Sequence, residues 1–174
     1  MNSKLLIAFE KLEERKAELL QLLSTLEVAR LTRQPEGKWS ISQILTHLVA
    51  SEMLSLRYIR KKSLSADQLD DSGWEESFKM VVLRITQRLP FLKFKAPAAL
   101  LQHTPSPLPF AEVTVQWHAA RLDLRNFLES IPEKNIRKKI FKHSVVGMLD
   151  VRQAMDFFGE HILHHTPQIR RLMK

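Results

Sequence analysis

The sequence predicts an all-α fold, a helical bundle with a long crossover connection, as one domain over residues 1–174. Four long segments and one shorter one repeat apolar residues at three- and four-residue steps, the period of a helix with a single buried stripe. Glycine is scarce, 4 in 174, which disfavours a turn-rich β sandwich or barrel. Four of the eight prolines (Pro97, Pro105, Pro107 and Pro109) crowd into one stretch, where they preclude a long helix. The hydrophobic content of 44% is ordinary for a globular chain. A chain of this size hides about 70% of its unfolded surface.

The first helix is predicted from Ser3 to about Leu31, with Leu5, Phe9, Leu12, Leu19, Leu23 and Leu26 as its stripe and Gln34-Pro35-Glu36-Gly37 as its breaker. The second starts sharply after Ser40, with Gln43 three residues on in the capping-box arrangement, and runs to about Lys62. Its apolar face is Ile41, Ile44, Leu45, Leu48 and Val49. Trp39, just before the cap, is expected to fold back on the first turn as packing. Residues 63–73 carry Asp67, Asp70 and Asp71 but lack the ligand spacing and terminal Glu of a calcium loop, so they read as a connection.

A shorter helix is predicted from Trp74 to Leu89, with Phe78, Val81, Val82 and Ile85 on one side. Pro90 ends it, and residues 91–109 form the extended crossover. The next helix spans Glu112 to Ile131, with Val113, Trp117, Leu124, Phe127 and Leu128 facing inward. Residues 135–149 read as a basic connection with a turn at Gly147. Asp150 caps the last helix, which runs to near Met173 along Val151, Met155, Phe158, Ile162, His165, Ile169 and Leu172.

Composition excludes several chemistries. There is no cysteine, hence no disulfide, thiolate metal site or cysteine nucleophile. Any metal must be held by His, Asp, Glu or water. No apolar run approaches 18 residues and the N-terminus is not signal-like, so no membrane association and a cytoplasmic location are expected. The net charge is +8, but the basic residues are scattered and no recognition motif accompanies them. No specific nucleic-acid binding is expected.

The chemistry-bearing feature is a set of seven histidines. His103, His118 and His143 are assigned structural or solvent roles. His161 and His165 stand four apart, about 40° around the helix and roughly 6 Å along it, on the apolar stripe. Two imidazoles facing a core need partners, either a divalent metal or hydrogen bonds within the core. His47, at the edge of the second helix's buried face, offers a third nitrogen. Three protein ligands would leave positions open to water or substrate. Ile162 follows His161, so the Glu of a metalloprotease motif is missing. Glu52 and Glu160 are expected to be surface carboxylates, and no general base is identified.

The segments GKWSISQILTHLVASE, KFKAP, HSVVGMLDVRQ and HILHHTPQI, in this order, resemble the DinB-like family of four-helix-bundle metal-binding proteins. The resemblance covers essentially the whole chain and implies a long crossover between the second and third bundle helices. It implies that His47, His161 and His165 hold a divalent cation, Ni2+ or Zn2+, with His164 beside the site but not a ligand. Gln168 matches a recurrent position. Pro167 stands where the family often has Gly, and its kink would re-aim the site slightly.

Known activities in the family include thiol-dependent S-transfer, with bacillithiol as one such thiol, and mycothiol-dependent isomerisation; other members are described as metal-dependent hydrolases. The expectation is a metal-dependent enzyme acting on a small molecule, with a low-molecular-weight thiol as cosubstrate and S-transfer ranked ahead of hydrolysis. The alternative is a non-catalytic metal-binding or stress-associated bundle, or a weak nucleic-acid accessory. A homodimer is expected through helix faces, with Leu54 and Leu56 as surplus apolar surface.

Overall fold

The structure, a computed structural model, describes residues 1–88 and 106–174. Its helices are α1 (Ser3–Leu23), α2 (Val28–Thr32), α3 (Ile41–Ser63), α4 (Trp74–Arg88), α5 (Phe110–Ser130) and α6 (Val151–Leu172). A short antiparallel hairpin, β1 (Phe141–His143) and β2 (Gly147–Leu149), precedes α6. The chain folds as a four-helix bundle of α1, α3, α5 and α6. Going round it, α1 packs on α6, α6 on α3, α3 on α5 and α5 on α1, while α4 lies outside against α6. The expected crossover and its KFKAP segment fall largely outside the described residues, as does His103; residues 106–109 are non-helical.

Local chemistry sets both site-bearing helices. At the start of α3 the Ser40 hydroxyl accepts from Gln43 N–H at 3.2 Å and Gln43 Oε1 accepts from Ser40 N–H at 2.7 Å. Asp150 and Gln153 repeat this box at the start of α6, at 2.8 and 3.1 Å. Each box satisfies two otherwise orphaned N–H groups and so fixes where its helix begins. Pro167 leaves α6 assigned as helix throughout, and the Thr166 hydroxyl donates to the Ile162 carbonyl at 2.8 Å.

Several expectations are corrected. The predicted first helix is two: α1 stops at Leu23, where the Ser24 hydroxyl donates back to the Gln21 carbonyl at 2.9 Å, and α2 restarts at Val28. Ser and Thr compete for backbone groups and favour such breaks. The turn lets α2 dock on α3, where Ser42 Oγ donates to the Leu31 carbonyl at 3.1 Å. The apolar side expected to bury α4 is outside: Phe78, Val81, Val82 and Ile85 are exposed, while Glu76, Met80 and Leu83 are buried. The basic connection contains the hairpin, and Gly147 has φ +84°, a backbone that a side chain would strain. Leu54 is exposed, but Leu56 is buried in the core and is not available to a dimer face.

Glu52 and Glu160 are not surface carboxylates; both are buried. Glu52 accepts two hydrogen bonds from the Arg121 guanidinium, each 2.8 Å, and one from Trp117 Nε1 at 3.0 Å. Arg121 also reaches Glu13 at 3.1 Å, and Glu13 pairs with Lys16 at 2.7 Å. One network therefore ties α1, α3 and α5. Glu160 faces Arg15 at 3.6 Å, and Arg15 crosses α6 over Gly159, where a side chain would push the guanidinium aside.

The acidic residues of 67–76 meet the basic residues of 134–139. Lys134 pairs with Asp67 at 2.8 Å, Lys138 with Asp71 at 3.2 Å and Lys139 with Glu76 at 2.8 Å. The Lys139 ammonium, with help from the Gly73 N–H, brings the Glu76 carboxyl down to about 2.

Breaking a buried ion pair on one side leaves the other charge uncompensated, at a cost of about 3–5 kcal/mol. Arg121→Ala is expected to lose about that much in urea denaturation, whereas Arg121→Met combined with Glu52→Leu should recover most of it. Equal losses in the single and double variants would contradict this account of the network.

Candidate metal centre

α3 and α6 bring His47, His161 and His165 together on the seam between them, and one ring nitrogen from each lies within 4.8 Å of the others. His47 follows the α3 cap by seven residues and His161 follows the α6 cap by eleven, so the two capping boxes set their registers. The His161 and His165 ring centres are 4.9 Å apart, and those of His47 lie 5.1 and 5.3 Å from them. His164 is exposed; its ring meets His165 at 5.1 Å but it is outside the group. His118 is exposed on α5.

The His47–His161 donor pair has the spacing of two nitrogens that share one cation. His47 Nε2 and His161 Nε2 are 3.2 Å apart. Two imidazole nitrogens bound to one tetrahedral cation at ~2.0–2.1 Å lie about 3.3 Å apart. His165 Nδ1 lies 3.1 Å from Gln168 Oε1, an oxygen that can only accept, so His165 Nδ1 is protonated and its Nε2 keeps the lone pair. That gives Gln168, which matches a recurrent position of the family, a contact that the sequence did not specify. One feature fits less well: His161 Nδ1 is enclosed without a hydrogen-bond partner. It would carry the proton when Nε2 served a cation.

Surrounding rings narrow the site. Phe157 stacks on His161 at 5.5 Å with 13° between planes, and Trp39 tilts over His47 at 5.2 Å. Trp39 thus packs as expected and also forms a wall. On the other side of α6, a shallow cleft of about 470 Å3 lined by Arg15, Leu19, Ile162, Thr166 and Arg170 shares no residue with the histidine group.

The imidazoles are held neutral. Burial, and then the positive charges that His165 and His47 would carry, push His161 well below its ordinary value. Burial and the His47 charge bring His165 down to about 3, the Gln168 bond acting weakly the other way. His47 is lowered by burial and then by His164. Neutral imidazole is the form that binds metal.

A stability consequence follows for metal-free protein. Below about pH 6.5 the unfolded chain protonates these histidines while the folded chain does not. The unfolded state then binds more protons, so stability falls as pH falls through this range. Replacing His161 or His165 by Phe is expected to flatten that slope in chelator-treated protein, measured as melting temperature from pH 7.5 to 5. An unchanged slope would show that these rings titrate normally.

The comparisons with known proteins agree with this architecture. No curated protein matches the chain. Among solved structures, YfiT from Bacillus subtilis, described as a probable metal-dependent hydrolase with an unusual four-helix bundle topology, superposes with a TM-score of 0.55 at 16% identity. The match covers 95% of this chain and 83% of that one, and at such identity it speaks for the fold alone. The family model described as the DinB superfamily matches residues 11–169, a span that includes all three histidines of the group, so the chain belongs to the DinB superfamily.

Proposed function

We propose that the protein binds one divalent cation through His47, His161 and His165 and acts as a metal-dependent enzyme on a small molecule. The observation that carries this reading is the convergence of three imidazoles, with two Nε2 atoms 3.2 Å apart. An all-nitrogen donor set suits Zn2+ or Ni2+ rather than Mg2+ or Ca2+. A bound cation of this kind supplies Lewis acidity toward a thiol or a water molecule. YfiT's description as a metal-dependent hydrolase points the same way for a structural relative.

Thiol S-transfer is our first choice of reaction, ahead of hydrolysis. The histidine group contains no carboxylate. Glu52 is bonded to Arg121 and Trp117, and Glu160 faces Arg15. Hydrolysis gains from a general base beside the attacking water, whereas a thiol acidified by the cation needs less help. The absence of cysteine means that any thiol must come with the substrates. The basic residues at 134, 138 and 139 are paired internally, so no specific nucleic-acid function is proposed.

Metal analysis of protein purified without an affinity tag tests the binding. About one cation per chain is expected in the parent and in His164→Ala, and little in His47→Ala, His161→Ala or His165→Ala. Because a ligand of the folded state stabilises it by mass action, chelator should lower the melting temperature of the first two proteins and hardly move the other three. A parent without metal at neutral pH would overturn the reading.

The choice of reaction is tested by turnover of a reactive electrophile with bacillithiol, mycothiol, glutathione or no thiol. Thiol-dependent consumption is expected; thiol-independent hydrolysis of esters or amides would reverse the ranking. Metal-loaded protein inert toward both would favour the non-catalytic bundle.

A further inference from the structure

The three histidines are not equally prepared to hold a cation. Among the described residues, His165 alone of the three has an acceptor on its second ring nitrogen: Nδ1 lies 3.1 Å from Gln168 Oε1. His161 Nδ1 is enclosed without a partner, and the hydrogen bond shown for His47 is the one between its Nε2 and His161 Nε2. That 3.2 Å contact needs a hydrogen on one of the two nitrogens when no cation is there. A cation at the pair has to displace that hydrogen, onto the outer nitrogen of the same ring or into solvent. His165 needs no such change, because its hydrogen already sits on Nδ1, away from Nε2.

Local geometry puts Gln168 in this place. It follows His165 by three residues on α6, so the two side chains share a face of the helix. Pro167 stands between them inside the helix, and its ring fixes the backbone angle φ just before Gln168. Gln168 is half-buried, as His165 is. Its amide oxygen is uncharged, so it orients the ring without adding a negative charge beside the histidine group.

We infer that Gln168 is a positioning residue for the metal site: its amide oxygen holds the His165 hydrogen on Nδ1, so that Nε2 is presented to a divalent cation before the cation arrives. This rests on the metal-binding reading above. Without the acceptor, the neutral ring can carry its hydrogen on either nitrogen and is freer to turn. Only a fraction of the molecules then offers Nε2, and the apparent affinity falls by that fraction. A hydrogen bond that sets the tautomer and orientation of a metal-binding imidazole is worth about 10- to 100-fold in metal affinity.

The test measures the Zn2+ affinity of full-length protein by competition with a chromophoric chelator at pH 7.5, in the parent, Gln168→Leu and Gln168→Glu. Gln168→Leu is expected to bind Zn2+ about 10- to 100-fold more weakly. Gln168→Glu keeps an acceptor at the same reach and should bind at least as tightly as the parent. A second readout, which a purely structural role would not move, is nitrogen NMR of the imidazoles in metal-free protein. His165 is expected as the Nδ1–H tautomer in the parent and in Gln168→Glu, and as a mixture in Gln168→Leu. If Gln168→Leu does not fold, the tautomer of the parent and the affinity of Gln168→Glu decide. Unchanged affinity in Gln168→Leu, weakened binding in Gln168→Glu, or an Nε2–H tautomer in the parent would overturn the inference and leave the metal reading standing. A parent that binds no Zn2+ would overturn both.

Discussion

Three imidazole rings on the seam between α3 and α6 impose the governing constraint. Nitrogens of His47 and His161 meet at 3.2 Å. Two lone pairs cannot face each other at that distance, so a proton or a cation must lie between them. Burial acts against charging the rings, and each ring's charge would oppose its neighbours'. The rest of the architecture serves to hold this arrangement. Two capping boxes set the registers of the helices, Gln168 orients His165, and Phe157 and Trp39 wall the rings in.

The helices that carry the histidines are themselves braced by charge. Arg121 lies at the meeting of α1, α3 and α5 and is satisfied by Glu52 and Glu13. A buried guanidinium of this kind adds little net stability, because desolvation offsets much of its attraction. A second set of pairs joins the 67–76 segment to the 134–139 segment. The net charge of +8 is thus locally balanced where acidic and basic connections meet.

These commitments shape the chemistry open to the site. Carboxylates that stand near the three histidines in sequence face arginines, and the histidine group offers nitrogen alone. The polar groups against the rings are the amide of Gln168 and the imidazole of His164, both beside His165.

Much of this was legible in the chain itself. The Ser40 and Asp150 caps, the inward stripes of α3, α5 and α6, and the shared face of His161 and His165 all depend on residues within a turn or two of one another, and local spacing determines them. His47 could be nominated from its edge position and from the family resemblance, but its meeting with His161 across 114 positions is a tertiary fact. The errors have the same origin. Glu52 and Glu160 look like surface residues until Arg121, 69 positions away, and Arg15, on another helix, are brought against them. The apolar side of α4 looks like a core stripe, yet the helix turns Met80 and Leu83 inward instead. The three-residue strands are too short to show a period, and only their pairing reveals that His143 is buried with its Nδ1 fixed. By itself the sequence determined where helices start, which faces are apolar and which imidazoles share a turn, since those follow from the 3.6-residue period and from capping. Which charges are buried, and which histidines meet, only the tertiary structure decided, because those depend on partners distant in the chain.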